Sequence, residues 1–218
     1  MLISPKASPR GDGRPMPAIG ITGGISTGKS TFCDCLREIV PAAKFFDADL
    51  AAHSLAELPE MKQEILGEFG AGVFLPSGHL NRTKLRAIVF RQAAKRRALE
   101  QILHPRIRRQ WMAEAKKHRN SPDFFFADIP LLYETGGETL CERVVVVACS
   151  RNVQLDRLAK RKSLKRSEAE QMINSQMALE EKIKRADHVV WNNSDRATLM
   201  EQAKELVTLW QEQSWKRT

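Results

Sequence analysis

The feature that most constrains the fold is a glycine-rich loop, since residues Gly23 to Ser30 match the phosphate-binding pattern G-x-x-x-x-G-K-[ST]. The short apolar stretch Ala18–Thr22 before it predicts a buried strand, and Lys29–Val40 after it has apolar residues at helical spacing. Glycines let backbone N–H groups approach phosphate oxygens, and the helix that follows adds a favourable dipole. Strand, loop and helix in this order predict a nucleoside-triphosphate site.

Polar residues in the loop and after two strands carry the predicted phosphate chemistry. Lys29 can reach the β- and γ-phosphates, and the Ser30 hydroxyl can bind Mg²⁺. Asp128 follows the apolar run Phe124–Ala127, so it can help hold Mg²⁺; an aspartate that caps a turn is the alternative. Asp49 follows the second strand and can accept a proton from an attacking hydroxyl, or it can cap the next helix.

Apolar strands alternate with helices along the rest of the chain, which predicts an α/β fold of three layers with a parallel sheet. A long helical region separates the second and third strands, with a break at Pro76–Gly78 and a helix start or kink at His104–Pro105. The four strands after the first are predicted at Ala43–Phe46, Phe124–Ala127, Val144–Val147 and His188–Trp191.

The predicted domain organisation is a disordered extension followed by one domain. Residues 1–17 are rich in proline and glycine, and residues 18–218 form the domain. Its core consists of 18–50, 122–151 and 186–218, with a helical region at 51–121 and a mobile lid at 152–185.

The net charge of +9 is concentrated in two segments. Residues 82–119 carry +11 and residues 151–166 carry +6, which leaves the remainder at −8 and suggests a polyanionic ligand. Nucleic acid is one candidate and a phosphate-rich small molecule is another, although Trp111 is the sole aromatic residue of the first segment after Phe90. A stacking surface for bases is therefore disfavoured.

The remaining composition bears on location. The four cysteines have no zinc-binding spacing and fit reduced thiols in a cytoplasmic protein, and no apolar run reaches the length of a membrane span. The sequence leaves the oligomeric state open, with a monomer favoured.

Two further sets of residues are candidates with open alternatives. Arg157 and Arg161 are four residues apart and share a helix face, so they can neutralise charge on a phosphoryl group in transfer or can be solvent-exposed lid cations. His104 can contact a substrate, or it can be a capping or core histidine.

The ordered series of motifs closely resembles one family, the dephospho-CoA kinases, which phosphorylate the 3′-hydroxyl of dephospho-coenzyme A. The resemblance extends from Ile19 to Leu206. The motifs that carry it are Gly20–Ile25, Phe46–Asp49, Gly78–Arg82, Val89–Phe90, His104–Ile107, Asp128–Glu134, Gln154–Leu158, Gln176–Lys182 and Ala186–Val190.

The resemblance implies a P-loop kinase fold, similar to nucleoside-monophosphate kinases, with a five-stranded parallel sheet, a helical acceptor-binding region and a helical lid. It implies Asp49 as catalytic base beside Lys29, Arg157 and Arg161, with ATP and Mg²⁺ as cofactors and dephospho-CoA as substrate. The implied ATP-binding residues are Gly24, Ile25, Ser26, Thr27, Gly28, Lys29, Ser30, Thr31 and Asn192. The implied acceptor-binding residues are His104, Arg108, Leu131, Leu132 and Glu134, and the implied metal ligands are Ser30 and Asp128.

Two positions depart from the family pattern. The family usually has Gly-Ser where this chain has Ser26-Thr27, which matters if that backbone needs a positive φ. The lid motif normally has an arginine at the position of Met172.

The motif series makes phosphorylation of the dephospho-CoA 3′-hydroxyl the main hypothesis. Another small-metabolite or nucleotide kinase and a nucleic-acid-dependent ATPase are the alternatives.

Overall fold

A computed structural model describes residues 18–119, 121, 123–162 and 165–215 of the chain, so the extension predicted for residues 1–17 lies outside the described part. The described helices include none with both the length and the hydropathy needed to cross a membrane. The helices are α1 Lys29–Ile39, α2 Ala48–Leu55, α3 Pro59–Phe69, α4 Arg82–Arg91, α5 Ala93–Lys117, α6 Arg151–Lys162, α7 Arg166–Asn174, α8 Leu179–Arg185 and α9 Arg196–Trp215.

The described strands form one five-stranded sheet in the order β2-β3-β1-β4-β5. The central strand β1 pairs in parallel with β3 and β4, and β4 pairs in parallel with β5, which confirms the predicted α/β class. Strands β1 and β3 are buried at every position, since the sheet is covered on both faces. This burial explains why their sequences are nearly continuous apolar runs. The strands are β1 Ala18–Gly23, β2 Lys44–Asp47, β3 Phe125–Asp128, β4 Arg143–Ala148 and β5 His188–Trp191.

This strand order places a switch point at the carboxyl end of β1. The chain goes from β1 towards β2 and β3 on one side and later to β4 and β5 on the other. Ligands of open α/β sheets bind where the strand order reverses in this way. The predicted phosphate loop begins at this point, directly after Gly23.

The chain divides into two compact units, of which the first comprises residues up to Phe46 and from Ala115 onward. The core of this unit joins β1, β3 and β4 to helices α1 and α9. Phe32 is fully buried, and the ring of Trp210 lies 6.0 Å from that of Phe126. Cysteines 33, 35, 141 and 149 are all buried and are not joined in disulfides, as expected for reduced thiols.

The second unit, Asp47–Glu114, has an apolar core of its own around Ile65, Val73 and Leu85. Of the two alternatives predicted at His104–Pro105, a helix start or a kink, the helix start is wrong, because Pro105 lies inside the continuous helix α5. Proline removes one backbone donor from a helix. The Arg106 guanidinium donates to the carbonyl of Ile102, in the turn before the proline, at 2.8 Å.

Other parts of the predicted long helical region are also interrupted. Besides the break at Pro76–Gly78, the chain leaves helical geometry after Leu55 and after Phe69. The Pro76–Gly78 segment is a turn in which Gly78 has φ 77° and its N–H donates to the Leu75 carbonyl at 2.9 Å. Glycine suits this position because the left-handed region is strained for other residues.

A buried histidine makes the stability of the first unit depend on pH. His188 in β5 accepts a hydrogen bond from Trp210 Nε1 at 3.2 Å. Burial and, to a smaller extent, Arg143 lower the pKa of His188, while Asp187 opposes them. The unfolded chain therefore takes up a proton at a higher pH than the folded chain, so stability falls as pH drops below about 6.5, the ordinary histidine pKa.

We expect the melting temperature to decrease between about pH 7 and pH 5, and to decrease less in a His188→Gln variant. The glutamine oxygen can accept the Trp210 hydrogen bond but takes up no proton. Thermal denaturation of both proteins across this range measures the difference. An equal decrease in the two proteins would show that His188 is not responsible.

Candidate active site

The loop after β1 turns sharply and begins helix α1. Gly28 is the N-cap residue of α1 and has φ 95°, and Ser26 has φ 58°. A Cβ on Gly23 would lie 2.4 Å from the Val147 carbonyl oxygen, so only glycine fits where the loop leaves the sheet. The first N–H groups of α1 have no partners within the helix, and such groups bind anions.

Every backbone carbonyl from Gly23 to Gly28 accepts a hydrogen bond. Carbonyl oxygens repel phosphate oxygens, so bonding them to protein donors favours an anion in the loop. The bonds are Lys182 Nζ to Gly23 at 3.3 Å, Thr27 Oγ1 to Gly24 at 2.9 Å, Gln154 Nε2 to Ile25 at 2.8 Å, Arg157 Nη1 to Ser26 at 3.5 Å and to Thr27 at 3.1 Å, Asn192 Nδ2 to Thr27 at 2.8 Å, and Phe32 N to Gly28 at 3.0 Å.

Four side chains from distant parts of the chain supply most of these bonds, and we call Gln154, Arg157, Lys182 and Asn192 the loop donors. The first two lie on α6, Lys182 lies on α8, and Asn192 follows β5. Arg157 also donates to the Asn192 carbonyl at 3.0 Å, which links two loop donors. The loop is therefore held by the region between β4 and β5 and by Asn192, the residue directly after β5.

An ion pair lies at the start of α1. The Lys29 ammonium contacts the carboxylate of Asp128, which is the last residue of β3 and is 5% exposed. The Cys33 thiol donates to the other oxygen of Asp128 at 3.4 Å. Burial, and next the charge of Asp128, raise the pKa of Cys33, so this thiol stays protonated. Asp128 thus keeps the Lys29 ammonium beside the loop.

Asp47, rather than Asp49, caps helix α2. The Asp47 side chain accepts from the Leu50 backbone N–H at 2.9 Å. Asp49 lies in the first turn of α2 and is exposed. The alternative interpretation of Asp49 as the helix cap is therefore wrong.

The predicted acceptor-binding residues divide between the two units. His104 and Arg108 are half-buried on α5 in the second unit. Burial lowers the pKa of His104, which favours its neutral form. Leu131 is half-buried in the first unit, whereas Leu132 is fully buried. Leu132 therefore offers no surface to a ligand in this form.

A family model described as dephospho-CoA kinase matches residues 17–198. The chain belongs to the dephospho-CoA kinase family. A dephospho-CoA kinase from Fusobacterium nucleatum is 38% identical over 177 residues, which are 81% of this chain and 90% of that protein.

Two solved structures support this assignment. One from Thermus thermophilus has a TM-score of 0.74 and 32% identity, and the match covers 90% of this chain and 97% of that one. The dephospho-CoA kinase from Campylobacter jejuni has a TM-score of 0.67 and 27% identity, and the match covers 93% of this chain and 99% of that one. The P-loop kinase fold predicted from the motifs is thereby confirmed.

The structure describes the side chain of only one of the two arginines predicted to neutralise charge on the phosphoryl group. Arg157 is not a solvent-exposed lid cation, because its guanidinium donates to three backbone carbonyls. The Arg161 side chain lies outside the described residues, although its backbone is part of α6. Met172, where the family normally has arginine, is half-buried on α7.

Gln154 and Lys182 are loop donors that the sequence interpretation missed. Both belong to motifs of the family resemblance, but neither was assigned a role. Lys182 lies next to two glutamates, which is typical of a solvent-exposed helix face. The available signal of burial was its spacing from apolar residues, since Lys182 comes three residues after Leu179 and directly before Ile183 and so shares their helix face.

Ser26, which stands where the family usually has glycine, has a positive φ of 58°. Ser26 is the one non-glycine residue with positive φ in the part of the chain that the structure describes. A Cβ in the left-handed region is strained by about 1–2 kcal/mol, so we expect Ser26→Gly to raise the free energy of unfolding by about 1 kcal/mol.

Chemical denaturation of Ser26→Gly and of a Ser54→Gly control tests this expectation. Ser54 lies in the last turn of α2, where glycine is a poorer helix former than serine by about 0.5 kcal/mol. The two substitutions should therefore shift the denaturation midpoint in opposite directions. A loss of stability in Ser26→Gly would contradict strain at this position.

Proposed function

We propose that this protein transfers the γ-phosphoryl group of ATP to the 3′-hydroxyl of dephospho-coenzyme A, giving coenzyme A and ADP. The observation that carries the proposal is the phosphate loop, whose six carbonyls from Gly23 to Gly28 are all bonded to protein donors. Membership of the family supplies the acceptor. Buried cysteines that are not joined in disulfides are consistent with a reducing compartment, so we propose a cytoplasmic location.

Lys29 is proposed to stabilise the charge that develops during transfer. Phosphoryl transfer depends mainly on positioning and on cations near the bridging and terminal oxygens. Asp128 holds the Lys29 ammonium beside the loop, which supports a role at the β- and γ-phosphates. The same loop supports the proposed ATP-binding roles of Gly24–Thr31. Asn192 is proposed to contribute through its hydrogen bond to the Thr27 carbonyl.

Two oxygen-bearing side chains beside the loop suit Mg²⁺ as ligands. Among the described residues no three acidic, histidine or cysteine side chains cluster to hold a metal ion. Magnesium bound to nucleotides takes few protein ligands and draws the others from phosphates and water. The exposed Ser30 hydroxyl and the Asp128 carboxylate are the proposed ligands. When bound, the ion supplies neutralisation of charge on the phosphate oxygens.

Asp49 is the proposed general base, and His104 and Arg108 are proposed acceptor-binding residues. Because Asp47 provides the cap of α2, the Asp49 carboxylate is not needed for that bond. An exposed carboxylate has the chemistry to accept the proton of a ribose hydroxyl.

The basic helices of the second unit do not favour the nucleic-acid-dependent alternative. Several of their cations are paired with acidic side chains, as in Lys95–Glu68 at 2.8 Å and Arg96–Glu100 at 3.9 Å. Such pairing reduces the charge available for a phosphodiester backbone. A phosphate-rich small molecule needs fewer free cations.

Replacing Lys29 tests the phosphate-loop assignment. We expect Lys29→Ala to lower kcat by about 10²–10³-fold, as for other lost charge-stabilising donors. A coupled assay of ADP release, normalised to the folded fraction, gives the rate. Lys204→Ala is the control, since Lys204 is exposed on α9 and pairs with Glu201. Near-normal turnover in Lys29→Ala would refute the assignment.

Replacing Asp49 tests the general base. We expect Asp49→Asn to lower turnover by about 10²–10⁴-fold with an unchanged melting temperature. Asp47→Ala should do the reverse, losing about 1 kcal/mol of stability with the cap while keeping the rate per folded molecule. If Asp49→Asn retains its rate, another group accepts the proton.

A further inference from the structure

Lys182 presents a buried charge that the proposed chemistry does not use. Its side chain is 0% exposed and contacts Glu134 at 2.9 Å. Its ammonium also donates to the carbonyl of Pro130 at 3.0 Å and to that of Gly23 at 3.3 Å. An ammonium has three N–H donors, so these three acceptors satisfy it completely.

The three acceptors belong to two segments of the candidate site. Gly23 ends β1 and starts the phosphate loop, while Pro130 and Glu134 flank the predicted acceptor-binding leucines. Thr22 Oγ1 donates to the same Pro130 carbonyl at 3.0 Å. Glu134 Oε1 also accepts from the Met177 backbone N–H at 2.9 Å, just before α8. One buried cation thus joins the ATP side to the acceptor side.

Stability alone does not account for such a pair. Removing the Lys182 ammonium from water costs several kcal/mol, and Glu134, with 22% of its side chain exposed, offsets only part of this cost. Burial lowers the pKa of Lys182, Glu134 raises it, and the nearby charge of Lys29 lowers it slightly further. A buried ammonium with this set of acceptors is best explained by the geometry that it imposes on them.

We propose that Lys182 is a positioning residue for phosphoryl transfer, which keeps the start of the phosphate loop and the Pro130–Glu134 segment in a fixed register. The inference rests on the proposed function, because it assigns these segments to the two substrates. The Lys182 ammonium is buried and already bonded to three protein acceptors, so it has no N–H donor left for a substrate. It acts through the Gly23 and Pro130 carbonyls and through Glu134.

The test compares Lys182→Met with Lys184→Met. Both lysines lie on α8, but Lys184 is exposed and its one described ion pair is with Glu181 at 2.7 Å. Methionine fills the space of the buried stem without the charge. We expect kcat of Lys182→Met to fall by about 10–100-fold, since small misplacements of reacting groups have effects of this size. The KM for ATP should change much less, and Lys184→Met should match the wild type.

Hydrogen exchange provides a readout that does not depend on turnover. We expect faster exchange in Lys182→Met at the phosphate loop and at residues 131–134, with other strands unchanged. Unchanged exchange and an unchanged rate per folded molecule would overturn the inference. Wild-type protein that fails to phosphorylate dephospho-coenzyme A would instead refute the proposed function, and the exchange result would still decide the role of Lys182.

A second variant covers the case in which Lys182→Met does not fold. Glu134→Gln keeps an oxygen for Met177 and for Lys182 but removes the charge. We expect it to lower kcat in the same direction, and the double variant to be no slower than Lys182→Met alone, because both act as one unit. Effects that multiply would show that Glu134 acts independently. If neither single variant folds, the pair is structural and the inference is wrong.

Discussion

The candidate site depends on the hydrogen bonds that hold the carbonyls of the phosphate loop. A tight loop with buried, unbonded carbonyls would be unstable, since each one loses water without a replacement. The loop donors solve this problem with side chains from α6, from α8 and from the end of β5. The conformation of a loop near the start of the chain is therefore fixed by residues more than a hundred positions later.

The same bonds explain how the loop tolerates an unfavourable residue. Ser26 is held at φ 58°, where a side chain is strained. The carbonyls on both sides, those of Ile25 and Thr27, are fixed by Gln154, by Arg157 and by Asn192. Strain of this kind persists only where the surroundings determine the backbone, and here they do so on either side of the residue.

The sequence was sufficient for features that depend on local patterns. The strands lie within one residue of their predicted bounds, because strands buried on both faces leave uninterrupted apolar runs such as Val144–Val147. Features set by distant contacts were not predictable. Lys182 resembles a surface lysine until the chain around it is folded. The choice of Asp47 over Asp49 as the cap is local, but the sequence pattern does not distinguish the two residues. Pro105 was a misleading signal, since a long helix tolerates the loss of one donor.

The loop donors also affect the groups that face a phosphate. A peptide unit joins the carbonyl of one residue to the N–H of the next, so a bond to the carbonyl polarises that N–H. Lys182 on Gly23 therefore strengthens the N–H of Gly24, and Arg157 and Asn192 on Thr27 strengthen that of Gly28. Two of these donors are cations, which polarise more strongly than neutral groups. Positive charge behind the loop can thus act on a phosphate in front of it through the backbone, without direct contact.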